Sequence, residues 1–537
     1  MSKEKYIKQM LKYLSRMRGE NSLTDATKVL VVTLFCSNIL GVLRDHYLAQ
    51  KIPTSLLDTY YAAFRLPDLV FNILILGAIS AAFIPVFTEL LAKDKKKAFR
   101  VANNLLNIGL VSVAVSLVLL FFLIPWLIKA IVPSFAPDKQ ATTLNLARLF
   151  LISPLFFAVS YYFSGILNSF KHFTLSSLAP LVYNLSIILG TIILGNRLGV
   201  YAPAIGVLVG SLLHMAIQLP SILKRGWRPS FTFDLKDKDA IKIFKLMIPR
   251  SIGLGSNQVL LIGFTAIASG LGAGSVAIYN LADNIQTMPS VVFGTSIASA
   301  LFPHLSGVYA EKNEIKFIKM MENGMLAIIY FLIPLSVAII LLRAQVVRII
   351  LGSGHFGWEQ TQATASTLGI FSVALVFSGV LPLFAKALYA RQNTKTPTII
   401  GVITVVASLA AGFFLSKKFG VAGLAAGLSI GMVINVLLLG FVIQRIGLDV
   451  NWKKIGKNTI KILFASGLMA VYIQAAKYTY GTYIDLDRFI EVFGQIVFSG
   501  SFGILAFITF TKWLKVENFS FSIFEKVIKI DNGQKID

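Results

Sequence analysis

In this chain of 537 residues, 56% are hydrophobic and 14% charged, and the mean hydropathy is +0.74, which excludes a soluble globular protein. Lysine and arginine number 50 against 25 acidic residues, a net charge of +25; at this hydropathy the excess marks basic loops facing anionic lipid and not a nucleic-acid partner. A single cysteine, Cys36, lies inside an apolar run, which excludes a disulfide framework and a thiolate metal cluster.

Residues 1–23 are rich in lysine and arginine with only scattered apolar positions, so they predict an amphipathic surface segment and no cleavable signal peptide. Crossing the hydrocarbon core takes about 20 apolar residues per helix. Fourteen such runs are expected, near 24–50, 57–91, 100–132, 142–170, 175–196, 200–222, 241–270, 275–310, 313–352, 358–391, 395–416, 420–445, 456–479 and 488–514. Alternate connectors are basic, among them KDKKKAFR (93–100), EKNEIKFIK and RQNTKTP, while those between them are short and neutral or mixed. The bias of basic residues toward the cytoplasm then predicts that both termini lie there.

The first two runs break the apolar rule. Arg44, Asp45, Asp58 and Arg65 sit within or beside them, where lipid would penalise each charge by roughly 2.5–3.5 kcal/mol. Asp58 and Arg65 are seven apart and share a helix face, and Pro67 loosens the backbone just after them. Helices keep such groups when they face something wet, so a polar cavity inside a membrane bundle is expected. Elsewhere candidate chemistry is thin: the five histidines (His46, His172, His214, His304 and His355) show no metal spacing, and no phosphate-binding loop or hydrolase motif is present.

Residues 194–227 line up with 415–448, each a glycine-rich helical hairpin with a basic exit, and Gly199 superposes on Gly420 at an offset of 221 residues. Upstream, 167–180 answers 388–401. An offset spanning six helices preserves orientation, so the repeats are parallel and related by an axis along the membrane normal. The expected fold is an all-α polytopic membrane protein of fourteen helices. Two six-helix lobes, 24–222 and 241–446, are related by pseudo-two-fold symmetry and followed by two helices over 456–514 and a cytoplasmic tail, 515–537.

The stretch LGVLRD…LLDTYYAAFRLPDL…GAISAAFIPVF, the segments GILNSFKHFTLSSLAPLVYNLSIILG (165–190) and LADNIQTMPSVVFGTSIASALFPHLS (281–306), and ALYARQNTKTPTIIG (387–401) together resemble the lipid II flippase family, MurJ/MviN. That family belongs to the multidrug/oligosaccharidyl-lipid/polysaccharide exporter superfamily. The resemblance runs from about residue 24 to 450, and beyond 450 hydropathy alone extends it.

It implies a cationic cavity between two lobes and alternating access that carries a lipid-linked peptidoglycan precursor to the outer leaflet. The last two helices are expected to form a groove for the polyprenyl tail. Arg44 and Arg65 match cavity arginines, Lys386 stands where helix 10 has a basic residue, and Asp45 and Asp58 would orient the arginines or latch the lobes. Arginine suits the task because its planar fork binds phosphate oxygens bidentately and stays charged.

Departures are as informative. Asn38 and Asn284, the latter after Asp283, stand where the family carries arginines, while Phe71, Asn72 and Leu76 replace an arginine pair and a glutamate. Asparagine can donate to phosphate without adding charge, and Arg250 is the candidate substitute cation, with Asp283 a third gating or orienting residue beside Asp45 and Asp58. Positions that bind sodium in some members are Gly263, Ser408 and Gly412 here, so no such sodium site, no other metal and no cofactor is expected. The expected partners are lipid II and anionic lipids, with the chain acting as a monomer in the bacterial plasma (inner) membrane and associating with cell-wall synthesis proteins. Open alternatives are a transporter of another polyprenyl-linked oligosaccharide or of drugs, a membrane enzyme on polyprenyl-phosphate sugars, and a transport-incompetent scaffold. Short outer loops poor in carboxylates and histidines speak against the enzyme.

Overall fold

The computed structural model describes residues 23–76, 83–486 and 488–516; side chains at 23–31, 34, 246, 248–250 and 252 lie outside the described residues. The expected surface segment before 23 and the tail beyond 516 also lie outside them. Among the described residues the regular elements are all helical. Among the described residues ten helices are long and apolar enough to cross a membrane, or eleven if one pair bent by 46° counts as a single span. The three further spans expected from sequence, 24–50, 57–91 and 241–270, are helical in the described parts without meeting that measure.

The chain divides into two compact units, Met1–Ala266 and Ile267–Asp537. The first contains α1 (Leu23–Lys51), α2 (Thr54–Ala63), α3 (Arg65–Val70), a π-helical turn (Phe71–Leu76), α4 (Ile84–Lys93), α5 (Lys95–Ile131), α6 (Pro137–Phe150), α7 (Ser153–Ser169), α8 (Thr174–Leu198), α9 (Tyr201–Ala216), α10 (Leu219–Lys224) and most of α11 (Lys238–Ser269). The uninterrupted helix expected over 57–91 is instead divided at Phe64 and again by the π-helical turn. Pro67 offers the local reason, since it removes one backbone donor and crowds the preceding turn. α5 starts sharply because the Asp94 carboxylate accepts from the backbone N–H of Lys96 and Lys97 at 2.8 and 3.1 Å. Phe83, Phe87 and Phe150 are fully buried in this unit, with Phe64 stacked on Phe150 at 4.1 Å between ring centroids.

The second unit contains α12 (Ser275–Pro289), a π-helical turn (Ser290–Thr295), α13 (Ser296–Ala310), α14 (Glu314–Leu351), α15 (Trp358–Val373), α16 (Leu375–Ala390), α17 (Lys395–Phe419), α18 (Val421–Arg445), α19 (Trp452–Tyr483) and α20 (Phe489–Trp513). α15 and α16 are the bent pair. The π-helical turn again follows a proline, Pro289, and packs so closely that a Cβ on Gly294 would lie 2.5 Å from the Gly379 Cα.

The repeat seen in the sequence reappears in the backbone at the same spacing. Residues with positive φ pair up 221 positions apart: Lys171 with Gln392, Gly199 with Gly420, and Gly226 with Gly447. Gly199 (φ 53°, ψ −128°) and Gly420 (φ 58°, ψ −136°) occupy a region closed to residues with a Cβ, so each hairpin turns on a glycine. The contacts inside the hairpins repeat as well. A Cβ on Gly206 would meet the Ile187 backbone at 2.7 Å, and one on Gly427 would meet the Gly412 backbone nitrogen at 2.4 Å. Small residues thus let α8 approach α9, and α17 approach α18, backbone to backbone.

Candidate functional site

In the first unit the polar residues of α1, α2, α3, α8 and α11 gather into one cluster. Arg44 on α1 donates from Nη2 and Nε to the Asp45 carboxylate at 2.8 and 3.0 Å, and from Nη1 to the Asn184 side-chain oxygen of α8 at 3.3 Å. Its side chain is 23% exposed and that of Asp45 4%. A guanidinium carries five N–H donors, so these three bonds leave two without a partner among the described residues. Tyr60 and Tyr61 from α2 and Tyr183 from α8 lie within electrostatic reach of the same guanidinium. The buried Tyr61 hydroxyl has no hydrogen-bond partner among the described residues. Buried polar atoms rarely go unpaired, so this hydroxyl, on a residue within electrostatic reach of Arg44, is an exception within the cluster.

Arg65 is buried on α3, and its Nε donates to the Thr265 hydroxyl of α11 at 2.7 Å, with Asp68 one turn away inside its field. Asp58 is fully buried and paired with Lys139 of α6 at 2.6 Å. The Lys139 ammonium also lies 4.0 Å from the centre of the Phe135 ring. The Asp45 carboxylate is thus bonded to the adjacent arginine, and the cation seen on Asp58 is Lys139, a residue that the sequence reading did not single out. Asn38 is half-buried on the same helix as Arg44. Phe71, which stands at an expected arginine position, packs on Phe157 and Tyr161 at 5.4 and 5.2 Å, so that wall of the cluster is aromatic. Asn72 donates to the Asp68 carbonyl at 2.8 Å.

The remaining candidates fall elsewhere. The Arg250 side chain lies outside the described residues. In the second unit, Lys386 on α16 donates to the Ser299 hydroxyl of α13, and Asp283 on α12 accepts from Gln286 at 3.0 Å, beside a half-buried Asn284. Ser408 and Gly412 are packed against Gly431 and Gly427 inside the α17–α18 hairpin. Of the histidines, His214 is held by its neighbours: Nδ1 lies 2.6 Å from the Ser160 hydroxyl and the ring stacks on Tyr161. Tyr480, Phe493, Val497, Phe498 and Phe502 line an apolar pocket on α19 and α20.

Sequence reasoning missed Lys139, Asn184, Thr265 and Tyr61. Asn184 lies inside one of the quoted resemblance segments and could have been picked out as an amide in an apolar run. Lys139 and Thr265 carry no local signal, because their partners lie 81 and 200 residues away.

Comparison with known proteins agrees with this architecture. A family model described as lipid II flippase MurJ matches residues 53–492. A probable lipid II flippase MurJ from Rickettsia prowazekii (strain Madrid E) is 26% identical over 496 residues, covering 91% of this chain and 97% of its own. Its counterpart in Buchnera aphidicola subsp. Acyrthosiphon pisum (strain APS) is 28% identical over 431 residues, covering 78% and 83%. Among solved structures, a lipid II flippase MurJ in an inward closed conformation has a TM-score of 0.75 at 22% identity, over 93% of this chain and 99% of that one. An inward-facing multidrug resistance MATE family transporter of the MOP superfamily has a TM-score of 0.66 at 15% identity, over 76% and 94%. The fold is therefore shared with that superfamily, and the match over 53–492 makes this multi-pass membrane chain a member of the lipid II flippase MurJ family.

Proposed function

We propose that the chain is a flippase that carries lipid II, the polyprenyl-pyrophosphate-linked peptidoglycan precursor, from the cytoplasmic to the outer leaflet of the bacterial plasma membrane by alternating access. The observation that carries this reading is Arg44: a guanidinium on α1, anchored by Asp45 and Asn184, with two N–H groups that have no partner among the described residues and Tyr60, Tyr61 and Tyr183 within its electrostatic reach. A pyrophosphate brings about two negative charges into a medium of low dielectric, and only fixed donors and cations at that depth can replace its hydration. Asp45 fixes the fork without using it up, so the site is organised before the headgroup arrives and the ordering cost falls on folding instead of on binding.

Arg65 supplies a second cation, held by Thr265. Lys386, Asn284 and Asn38 are proposed as further headgroup contacts, with Asp45, Asp58 and Asp283 as orienting or latching groups; Arg250 is proposed as a substitute cation on the basis of sequence alone. The reaction leaves the substrate covalently unchanged, so the chain is a transporter and not an enzyme, and it needs no cofactor. A membrane potential acting on the charged headgroup or on the arginines is available as a driving force, at about 2.3 kcal/mol per charge for each 100 mV, with an ion gradient as the alternative. The aromatic pocket on α19 and α20 suits the polyprenyl tail, and the chain is read as a monomer with both termini cytoplasmic and the two lobes as expected from sequence. Cationic drugs call for an acidic cavity, so the arginines favour the anionic cargo.

Proteoliposomes containing the full chain and fluorescent lipid II provide the test. The wild type is expected to move lipid II to the opposite leaflet, Arg44→Ala to lose at least tenfold in rate, and Arg44→Lys to fall between, because a lysine is a point charge without the planar fork. An unchanged rate in Arg44→Ala would remove the guanidinium from the mechanism. Failure of the wild type on lipid II, with success on another polyprenyl-linked oligosaccharide, would reassign the cargo.

A further inference from the structure

The connector between α10 and α11 has features for which the transport reading has no use. It has little regular structure, yet three asparagines on α5 clasp its backbone. Asn103 Nδ2 donates to the Arg228 carbonyl at 2.9 Å, and Asn107 Nδ2 donates to the carbonyls of Ser230 and Thr232, both at 2.9 Å. Asn104 makes a two-way pair with Asp234, donating to its carbonyl at 2.8 Å and accepting from its N–H at 2.7 Å. Trp227 is buried at one end against Phe163, and Asp237 caps α11 at the other through the N–H groups of Asp239 and Ala240. So the segment is an ordered strap.

What the strap presents is unexpected for a connector in water. Phe231 is 106% exposed, Phe233 56% and Leu235 63%, while the intervening Thr232 is half-buried toward α5. Fixing a backbone so firmly in order to hold out two phenylalanines and a leucine makes sense if something apolar receives them.

Two further observations say what that is. Along α5, Asn104 and Asn107 begin a stripe that continues through Val111, Val115, Val118 and Phe122, which are 49%, 53%, 57% and 66% exposed on a helix apolar enough to span a bilayer. Asn107 is one turn from Val111, about 6 Å, so the strap is clasped where the lipid-facing surface of α5 begins. Charge fits the same boundary: Lys95, Lys96 and Arg100 at the start of α5, with Arg228, Lys236 and Lys238 in or next to the strap, are all exposed. The nearby acids are engaged, since Asp94 and Asp237 cap helices, Asp234 in the strap accepts from the Lys236 N–H at 2.9 Å, and Asp239 pairs with Lys97 at 3.0 Å.

We propose that residues 225–237 form an interfacial anchor, with Phe231, Phe233 and Leu235 seated at the headgroup–acyl boundary of an anionic leaflet on the side of the basic loops, and the surrounding lysines and arginines on its headgroups. Apolar insertion combined with basic flanks is the physics of monotopic membrane attachment, here built into a connector.

Spin labelling tests it on the full chain. In a Cys36→Ser background, labels are placed singly at Phe231→Cys, Phe233→Cys and Leu235→Cys, with Val115→Cys as the bilayer reference and Lys312→Cys as the water reference. The readout is the relative access of oxygen and a water-soluble nickel chelate in vesicles of phosphatidylcholine, with or without phosphatidylglycerol. With phosphatidylglycerol, the three strap labels are expected to read like Val115, and without it to shift toward water. Labels that read like Lys312 in the anionic vesicles overturn the anchor and leave the surface to a soluble partner. Equal depth in both compositions overturns the role given to headgroup charge. Lipid II plays no part in the readout, so the outcome is independent of the transport assignment.

Discussion

The two compact units share a scaffold and differ in where they bury charge. Three pairs of positive-φ residues recur 221 positions apart, and each unit has a π-helical turn just beyond a proline and a hairpin closed by glycines. Among the described residues, however, three of the four buried charged side chains (Asp45, Asp58 and Arg65) belong to the first unit, and Glu322 alone belongs to the second. Backbone punctuation is a local requirement that any copy of the hairpin must meet. Buried ions are costly unless paired, and so they sit where a site needs them and not where a repeat would copy them.

The largest effect that would sharpen this contrast is expected from Lys139→Ala. Losing the lysine leaves the fully buried Asp58 without its seen counter-charge, at a cost of about 3–5 kcal/mol. Thermal unfolding in detergent should show the loss, and adding Asp58→Asn should recover most of it; a change below 1 °C in the single variant would mean that the pair is not a structural keystone of the first unit. Next come Gly199→Ala and Gly420→Ala, which force a Cβ into a forbidden region and should each cost about 1–3 kcal/mol. Equal losses support the shared scaffold, whereas a loss in one and not the other would break the comparison.

A smaller effect separates Lys171→Gly and Gln392→Gly. Both residues hold φ near 60°, so glycine relieves strain and each variant should gain up to about 1 kcal/mol. The smallest effect concerns pH. His172, in the loop between α7 and α8, is held below its ordinary 6.5 by burial and then by Arg225. Below that pH the unfolded chain takes up a proton that the folded one resists, so stability falls as pH drops through 6.5. The residue 221 positions on, Asn393, does not titrate and accepts from the Thr396 N–H. His172→Asn should therefore show a shallower decline in unfolding temperature between pH 7.5 and 5.5, and parallel curves for the two proteins would refute it.

Much of this was legible in the sequence. Gly199 and Gly420 announced the repeat because a glycine at a helix end has few other uses, and the hydrophobic runs located the ten apolar spans. Arg44 and Asp45 stood out because an ion pair inside an apolar run must be explained. What was not legible was partnership at a distance. Nothing around Lys139 points to Asp58, and the asparagines at 103, 104 and 107 look like ordinary polar residues of a helix start until the strap lies across them. The division of 57–91 also escaped, because apolar content is the same whether a helix runs straight or is interrupted at Phe64 and widened at Phe71–Leu76.

The glycine-closed hairpins carry a mechanical consequence. At Gly190 and Gly206 of the α8–α9 hairpin, and at Gly423 and Gly427 of the α17–α18 hairpin, main chain rests on main chain with no side chain between to change rotamer. Such contacts leave little room to absorb a push, so each hairpin is expected to move as one stiff piece. Bending is left to the segments after Pro67 and Pro289, where the helical ladder is already out of register.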